Sequence, residues 1–388
     1  MNVVRLKNSL KSILPQYCIS LIHKYKAKHL PLLKNIFGTN YDFNCLLVYI
    51  TSPFIKGINN SHQNNWQVVE LAKIISKFGY NVDVIDYNYV KENFDKKYDM
   101  LIDLHPRDNA VYNKVLKENC IKIAYLTGSN PSFSNIAEED RIKDVYKRYG
   151  KRLLCRRHAE LISKRIETYD AAFFIGNKYN LKTYSEFKIP PVYFIKNTGY
   201  DFKFSNKNRK ANNFMFLASS GQVHKGLDLL LDIFANTCKD CNLYICSNFK
   251  EELDFCDLYK NELYNMPNIF PIGFLDINSE EFKNIAEKCA YMIMPSCSEA
   301  NAGSVLTAMS AGMIPIVSRE CGFEDDEVIH LDDCSMSCIE KYIKYYSMKD
   351  EKWINSKSKE AVRIIKEKYS KKNFRESIII GMQETIKK

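Results

Sequence analysis

Apolar runs of strand length alternate along most of this chain with amphipathic stretches of helix length, the pattern of parallel sheets covered on both faces. In the first half such runs fall at Cys45–Ile50, Val82–Tyr87, Met100–His105, Ile121–Leu126, Ala171–Ile175 and Val192–Ile195. A helix over Val68–Phe78, closed by Gly79, joins the first two runs into a βαβ unit. The pattern lapses over Asp201–Asn213, a polar, basic stretch that reads as an interdomain linker. It restarts at Phe214–Ala218, Leu243–Cys246, Ile269–Gly273, Met292–Met294 and Ile314–Val317, with helices such as Leu227–Asn236 and Glu280–Cys289 between. Toward the end, Phe374, Ile378 and Met382 recur every fourth residue on one helical face. The fold class expected is α/β, with two Rossmann-like parallel-sheet domains, residues 41–200 and 201–372. The segment Glu138–Glu167 is expected to be mostly helical, its many Lys and Arg forming a solvated face.

At 388 residues, 46% hydrophobic, the chain is long enough for two cored domains, and disorder is not indicated. The net charge of +10 is uneven: from Met1 to Tyr41 there is no Asp or Glu, whereas Arg5, Lys7, Lys11, Lys24, Lys26, Lys28 and Lys34 are basic. Leu6, Leu10, Ile13 and Leu14 recur there at helical spacing, and Pro15 divides the stretch into two short helices. Residues 1–40 therefore read as a basic amphipathic helical arm, fitted either to an anionic membrane surface or to packing on the protein with its basic face in water. No apolar run is long enough to span a bilayer, and the N-terminus lacks a secretory signal, so a cytoplasmic protein, peripheral at the inner face of the plasma membrane, is expected. Thirteen scattered cysteines fit reduced, buried thiols, and Cys238-Lys239-Asp240-Cys241 fits a helix-to-strand turn better than a zinc site. The basic segments are explained without nucleic acid as a partner.

Two stretches carry candidate chemistry. In Tyr291–Cys321 an apolar strand runs into Pro295-Ser296, then the polar Ser298-Glu299-Ala300-Asn301, then a helix from Ala302-Gly303-Ser304 through Thr307, closed by Gly312 before a second strand. A carboxylate and a helix N-terminus thus meet at the carboxyl end of a parallel strand, a place that binds anionic ligands; on the residues alone, Glu299 could equally cap the helix. In Ser219-Ser220-Gly221-Gln222-Val223-His224-Lys225-Gly226, glycines between a strand and a helix allow close backbone approach, and Lys225 adds a mobile charge. In the first half, the loop Thr51–Asn65 with Gly57, His62 and Asn64, and the strand ends at His105 and Ser129, face the same cleft if the strands are parallel; they are candidate acceptor or sugar contacts, or ordinary loop residues.

The Pro295–Ser318 segment resembles the C-terminal signature of nucleotide-sugar glycosyltransferases with the GT-B fold, in particular the retaining family-4 type (glycosyl transferases group 1), and the Gly221–Gly226 loop looks like that family's G-x-x-x-K-G loop. The resemblance implies two facing Rossmann-like domains, with the last helix (373–388) packing back on the first. Glu299 matches the first glutamate of the family's E-x7-E frame, beside the donor sugar; the second position is Thr307, a departure at the ribose. Lys225 would hold the diphosphate, with Ser220, Gly221, His224, Gly226, Asn301, Ala302, Gly303, Ser304 and Thr307 around the donor. Gln222 stands where the family often has an arginine, and Glu324 resembles a glutamate common after the last glycine-containing turn. No metal is expected: no D-x-D pair closes a strand, and Asp325-Asp326 lies in a loop without an oxygen-ligand frame. The function implied is retaining, metal-independent transfer of a sugar from a nucleotide-sugar co-substrate to a glycan or lipid-linked acceptor, in bacterial surface polysaccharide or lipopolysaccharide synthesis, with no other cofactor. The alternatives are a nucleotide-sugar epimerase of the same fold and a catalytically degenerate sugar-nucleotide-binding protein.

Overall fold

The structure is a computed structural model that describes residues 27–59, 62–104, 106–108, 110–205 and 208–387. His105 and residues 1–26 of the expected arm lie outside them. By Leu32 the arm has given way to sheet: Leu32–Leu33 (β1) pairs antiparallel with Val84 and Ile85 at the edge of the first domain.

The remaining strands of that domain are β2 (Phe43–Tyr49), β3 (Tyr80–Asp86), β4 (Tyr98–Asp103), β5 (Leu116–Leu126), β6 (Ala171–Phe174) and β7 (Val192–Phe194). The sheet order is β1-β3-β2-β4-β5-β6-β7, with every pair after the first parallel. The register sets carboxyl ends side by side, Tyr49 opposite Asp86 and Leu126 opposite Phe174, so the following loops gather on one edge. Two helices matter for the site: α1 (Asn64–Lys77), which buries Val68, Leu71, Ala72 and Ile75 on the sheet, and α2 (Pro131–Tyr149).

The second sheet is wholly parallel, in the order β10-β9-β8-β11-β12-β13: β8 (Lys210–Leu217), β9 (Asn242–Cys246), β10 (Ile269–Phe270), β11 (Cys289–Met294), β12 (Ile314–Val317) and β13 (Ile329–His330). Its first strand begins inside the stretch expected to be linker, because Lys210 pairs with Cys289. The helices used below are α3 (Gln222–Lys225), α4 (Leu227–Asn236), α5 (Gly303–Ser310), α6 (Glu351–Lys368) and α7 (Lys371–Ile386). Ser370 separates the last two and caps α7 through the N–H of Asn373. Phe374, Ile378 and Met382 of α7 join the apolar core of the first domain, and Phe374 meets Trp66 of α1 edge-on at 5.5 Å.

The charged segment 138–167 departs from expectation. Helix α2 stops at Gly150, whose left-handed φ of +68° ends it, and the chain is then irregular up to a short 3₁₀ turn at Lys164–Thr168. Its cations are not simply solvated, because the second domain supplies acids: Arg148 pairs with Asp228 and Asp232 of α4, Arg156 with Asp254, and Lys151 with Asp257 at 2.6 Å. Ile142, Val145 and Leu153 belong to the apolar core of the second domain. The start of α2 stays with the first domain, where the Asn130 backbone N–H donates to Thr183 and its side-chain amide to Glu186. This segment is a strut between the two halves.

Candidate functional site

A cavity of about 430 Å³ lies between the two carboxyl edges, bounded by both domains. On the second-domain side, the Lys225 ammonium forms an ion pair with the Glu299 carboxylate. Lys225 is buried and Glu299 nearly so, so each charge would be expensive alone and is tolerated through the other. Burial opposes the charge on Glu299, but the Lys225 ammonium, with Arg157 and His224 nearby, keeps its carboxyl well below the usual carboxylate range. Ser296 adds a hydroxyl at 3.4 Å from the same carboxylate oxygen.

His224 precedes Lys225 in α3 and is 3% exposed. Its Nε2 lies 2.6 Å from the Ser298 carbonyl, which can only accept, so the ring carries its proton on Nε2 and the buried Nδ1 has no partner among the described residues. Burial, reinforced by Lys225 and Arg157 against Glu299, lowers its pKa to about 4, so the ring is neutral at pH 7. His62, across the cavity, is likewise lowered by burial and by Arg157 and Lys225.

The loop between Glu299 and α5 is held in an unusual shape. Asn301 has φ +36°, one of two non-glycine residues in that region among the described residues. It is pinned from two directions, its amide donating to the Gly322 carbonyl and its own carbonyl accepting from Asn197 at 2.6 Å. Helix α5 then starts at Gly303 with no side-chain cap, and Ala302 and Gly303 line the cavity. Its first N–H groups are therefore available to an anion. Gly303 is required by close approach, since a Cβ there would fall 2.5 Å from the Gln63 amide oxygen.

The two domains meet through amide side chains aimed at the carbonyls of this loop. Gln63 Nε2 donates to Gly303 O at 2.8 Å and lies 3.3 Å from Thr307 Oγ1. Ser129 Oγ donates to Glu299 O at 2.8 Å, and Asn180 Nδ2 donates to the same carbonyl at 3.1 Å. Gln67 holds Asn197 and Thr198 at 2.7 and 3.0 Å.

Among the residues singled out from the sequence, His62, Asn64, Ser129, His224, Glu299, Asn301, Ala302 and Gly303 line the cavity, and Lys225 reaches its edge through Glu299. Gly57 is exposed on the loop beyond it. Ser304 faces Met294, and Gly226 sits where a Cβ would strike the Pro295 carbonyl at 2.5 Å, a packing position. Thr307 is buried, its hydroxyl donating to Gly303 O at 2.8 Å beside Gln63, so no second carboxylate stands there. Ser220 is half-buried in the glycine-rich loop. The N–H groups of Gly221 and Gln222 do not face a ligand, because the buried Glu252 carboxylate accepts both, at 2.5 and 3.2 Å. The sequence reading missed Gln63, Gln67, Asn197 and Arg157. The spacing of Gln63 and Gln67, one turn apart before the apolar face of α1, is a signal that could have found the first two.

Arg157 reaches the cavity from the irregular segment after α2. Its backbone N–H donates to both Glu138 oxygens at 3.0 Å, and Asn135 clips Ala159 by accepting from its N–H and donating to its carbonyl, each at 2.8 Å. Its stem crosses the glycine-rich loop so closely that a Cβ on Gly221 would lie 2.5 Å from Arg157 Cγ. Among the described residues no three His, Cys, Asp or Glu side chains converge as metal ligands.

Two parallel α/β domains with their carboxyl edges across a cleft and a final helix returned to the first domain define the GT-B class. Solved structures share this fold at low identity. S. aureus TarM, in complex with fondaparinux, α-GlcNAc-glycerol and UDP, matches with a TM-score of 0.52 and 12% identity over 74% of this chain, which spans only 55% of that protein. A glycosyltransferase from Rickettsia africae matches at 0.60 and 11% over 89% of this chain and 100% of its own. WaaG, a glycosyltransferase involved in lipopolysaccharide biosynthesis, matches at 0.53 and 12% over 87% of this chain and 99% of its own. No curated protein sequence matches the chain. Residues 200–371, which hold the second domain, match the model of the glycosyl transferases group 1 family.

Proposed function

We propose that this protein transfers a sugar from a nucleotide-sugar donor to a carbohydrate or lipid-linked acceptor, with retention of anomeric configuration and without a divalent cation. The observation that carries this reading is the buried Lys225–Glu299 pair beside the uncapped start of α5, in a cavity shared by both domains. A departing nucleoside diphosphate gathers negative charge, and the free N–H groups of α5 with the Lys225 ammonium are donors fixed in advance to receive it. Glu299 orients the hydroxyls of the sugar, and the first-domain wall with His62, Asn64 and Ser129 presents the acceptor. Retention rests on the family resemblance, and surface polysaccharide or lipopolysaccharide synthesis on the kind of relative the fold shares. A cytoplasmic protein drawn to an anionic membrane through the basic segment that precedes β1 fits that setting; deleting residues 1–26, which spares the β1 strand, should abolish sedimentation with anionic liposomes.

Purified protein offered UDP-, GDP-, ADP- and CMP-sugars with candidate acceptors should release nucleotide and form a glycoside in the presence of EDTA, the anomer being read by NMR. Lys225→Ala and Glu299→Ala should each lower kcat by about 100-fold or more, the scale of losing one fixed oxyanion donor. Binding without turnover would instead mark a degenerate binding protein, and isomerised nucleotide sugar an epimerase. Activity lost in EDTA and restored by magnesium would refute metal independence.

A further inference from the structure

A nucleoside diphosphate brings at least two negative charges, and the cations already described do not balance them. Lys225 is buried against Glu299, so that pair contributes no net charge. His224 is neutral in its buried setting, and the pKa of His62 is likewise lowered. The N–H groups of Gly221 and Gln222 are committed to Glu252, itself an acid. Among the described residues that line the cavity, Arg157 alone carries a permanent positive charge, and none of the described residues accepts a hydrogen bond from its guanidinium.

We propose that Arg157 is a diphosphate-binding residue of the donor site, delivered by the strut after α2, and that it confines the donor to nucleoside diphosphate sugars as against nucleoside monophosphate sugars. The inference rests on the glycosyl-transfer reading above. Three features of the fold serve the placement. Glu138, 2% exposed, spends its carboxylate on the backbone N–H groups of Arg156 and Arg157, which leaves the guanidinium free while fixing where it starts. Arg156 is anchored to Asp254 of the second domain, so its neighbour in sequence is registered to the domain that binds the donor. Gly221 lacks the Cβ that would block the Arg157 stem on its way over the loop. An arginine fork matches two phosphate oxygens at once, a geometry that a single ammonium lacks. Gln222, in the position where a cation of the loop itself would stand, donates to Ser219 O and Glu252 instead.

The experiment is calorimetric titration of the full chain, in EDTA, with UDP, GDP and ADP and with the matching monophosphates and nucleosides. Arg157→Ala should weaken the best diphosphate by about 10- to 100-fold and leave the nucleoside within about threefold, the loss of a charge-assisted contact made only by phosphate. Arg157→Lys should recover part of the loss. The side chain is exposed and without a described partner, so an unchanged melting temperature should accompany the loss. If Arg157→Ala binds diphosphate within about twofold of the wild type while Lys225→Ala does not, the role given to Arg157 is wrong and the glycosyl-transfer reading stands. An equal loss of nucleoside affinity would also overturn it, by showing an effect on the whole site. No diphosphate binding by the wild type would overturn both.

Discussion

His224 shows how a single ring links this site to pH. Its proton sits on Nε2, facing the Ser298 carbonyl, and burial keeps the second proton off until about pH 4, against about 6.5 for an exposed imidazole. Between those values the unfolded chain binds more protons than the folded one, so stability is full above pH 6.5 and declines as the pH falls toward 4. Urea titrations should find the protein roughly 2 kcal/mol less stable at pH 5 than at pH 7 from this residue, with His62 adding in the same direction. His224→Gln, which keeps a donor for the carbonyl, should flatten that slope. At this scale the sequence was informative where chemistry is local: Glu299 and Lys225 announce themselves by the strand, turn and helix around them. Arg157 could not be found that way, because its position depends on Glu138 and Asn135 folding back on it, and nothing in a charged run distinguishes a clipped arginine from a solvated one.

Among the elements, α2 and α7 do the most to join the halves. Arg148 is the only described cation paired with Asp228, which is fully buried and whose second oxygen has no partner among the described residues. Arg148→Ala would strand that carboxylate and should destabilise the fold by about 3–5 kcal/mol, measured by chemical denaturation; Arg148→Ala combined with Asp228→Asn should recover part of the loss. On α7, Phe374→Ala removes a fully buried ring packed on Trp66, and a loss of about 3–5 kcal/mol is expected in the same assay. The long strands were legible because buried parallel strands read as unbroken apolar runs. The two-residue strands β1 and β13 were not, whereas the equally short β10 was, because it lies within the longer apolar run from Ile269. The end of α2 was missed although Gly150 marks it, and the pairing of the cations beyond was not legible because their acids lie on the other domain.

For the whole molecule, the domains share more than a cleft. Part of α2 lies in the second domain's core, part of α7 in the first's, and amide side chains close the seam between. Scanning calorimetry should therefore record one cooperative transition, with calorimetric and van't Hoff enthalpies in agreement, and Arg148→Ala should separate it into two. Two domains and their parallel sheets followed from the pattern of apolar runs; their mutual attachment did not, because it is written in pairs of residues far apart in the chain.

Helix α2 is a 19-residue rod, about 28 Å long, tied at Asn130 to one half and at Arg148 to the other. Under the proposed function, a hinge at the interdomain connection alone would not open the cleft, because the rod spans the same gap. Opening would then require the far end to let go, and the ionic contacts of Arg148, Lys151 and Arg156 are the ones that hold it. Added salt, which weakens such contacts most where water reaches them, should then hasten nucleotide release, turning ionic strength into a throttle on turnover.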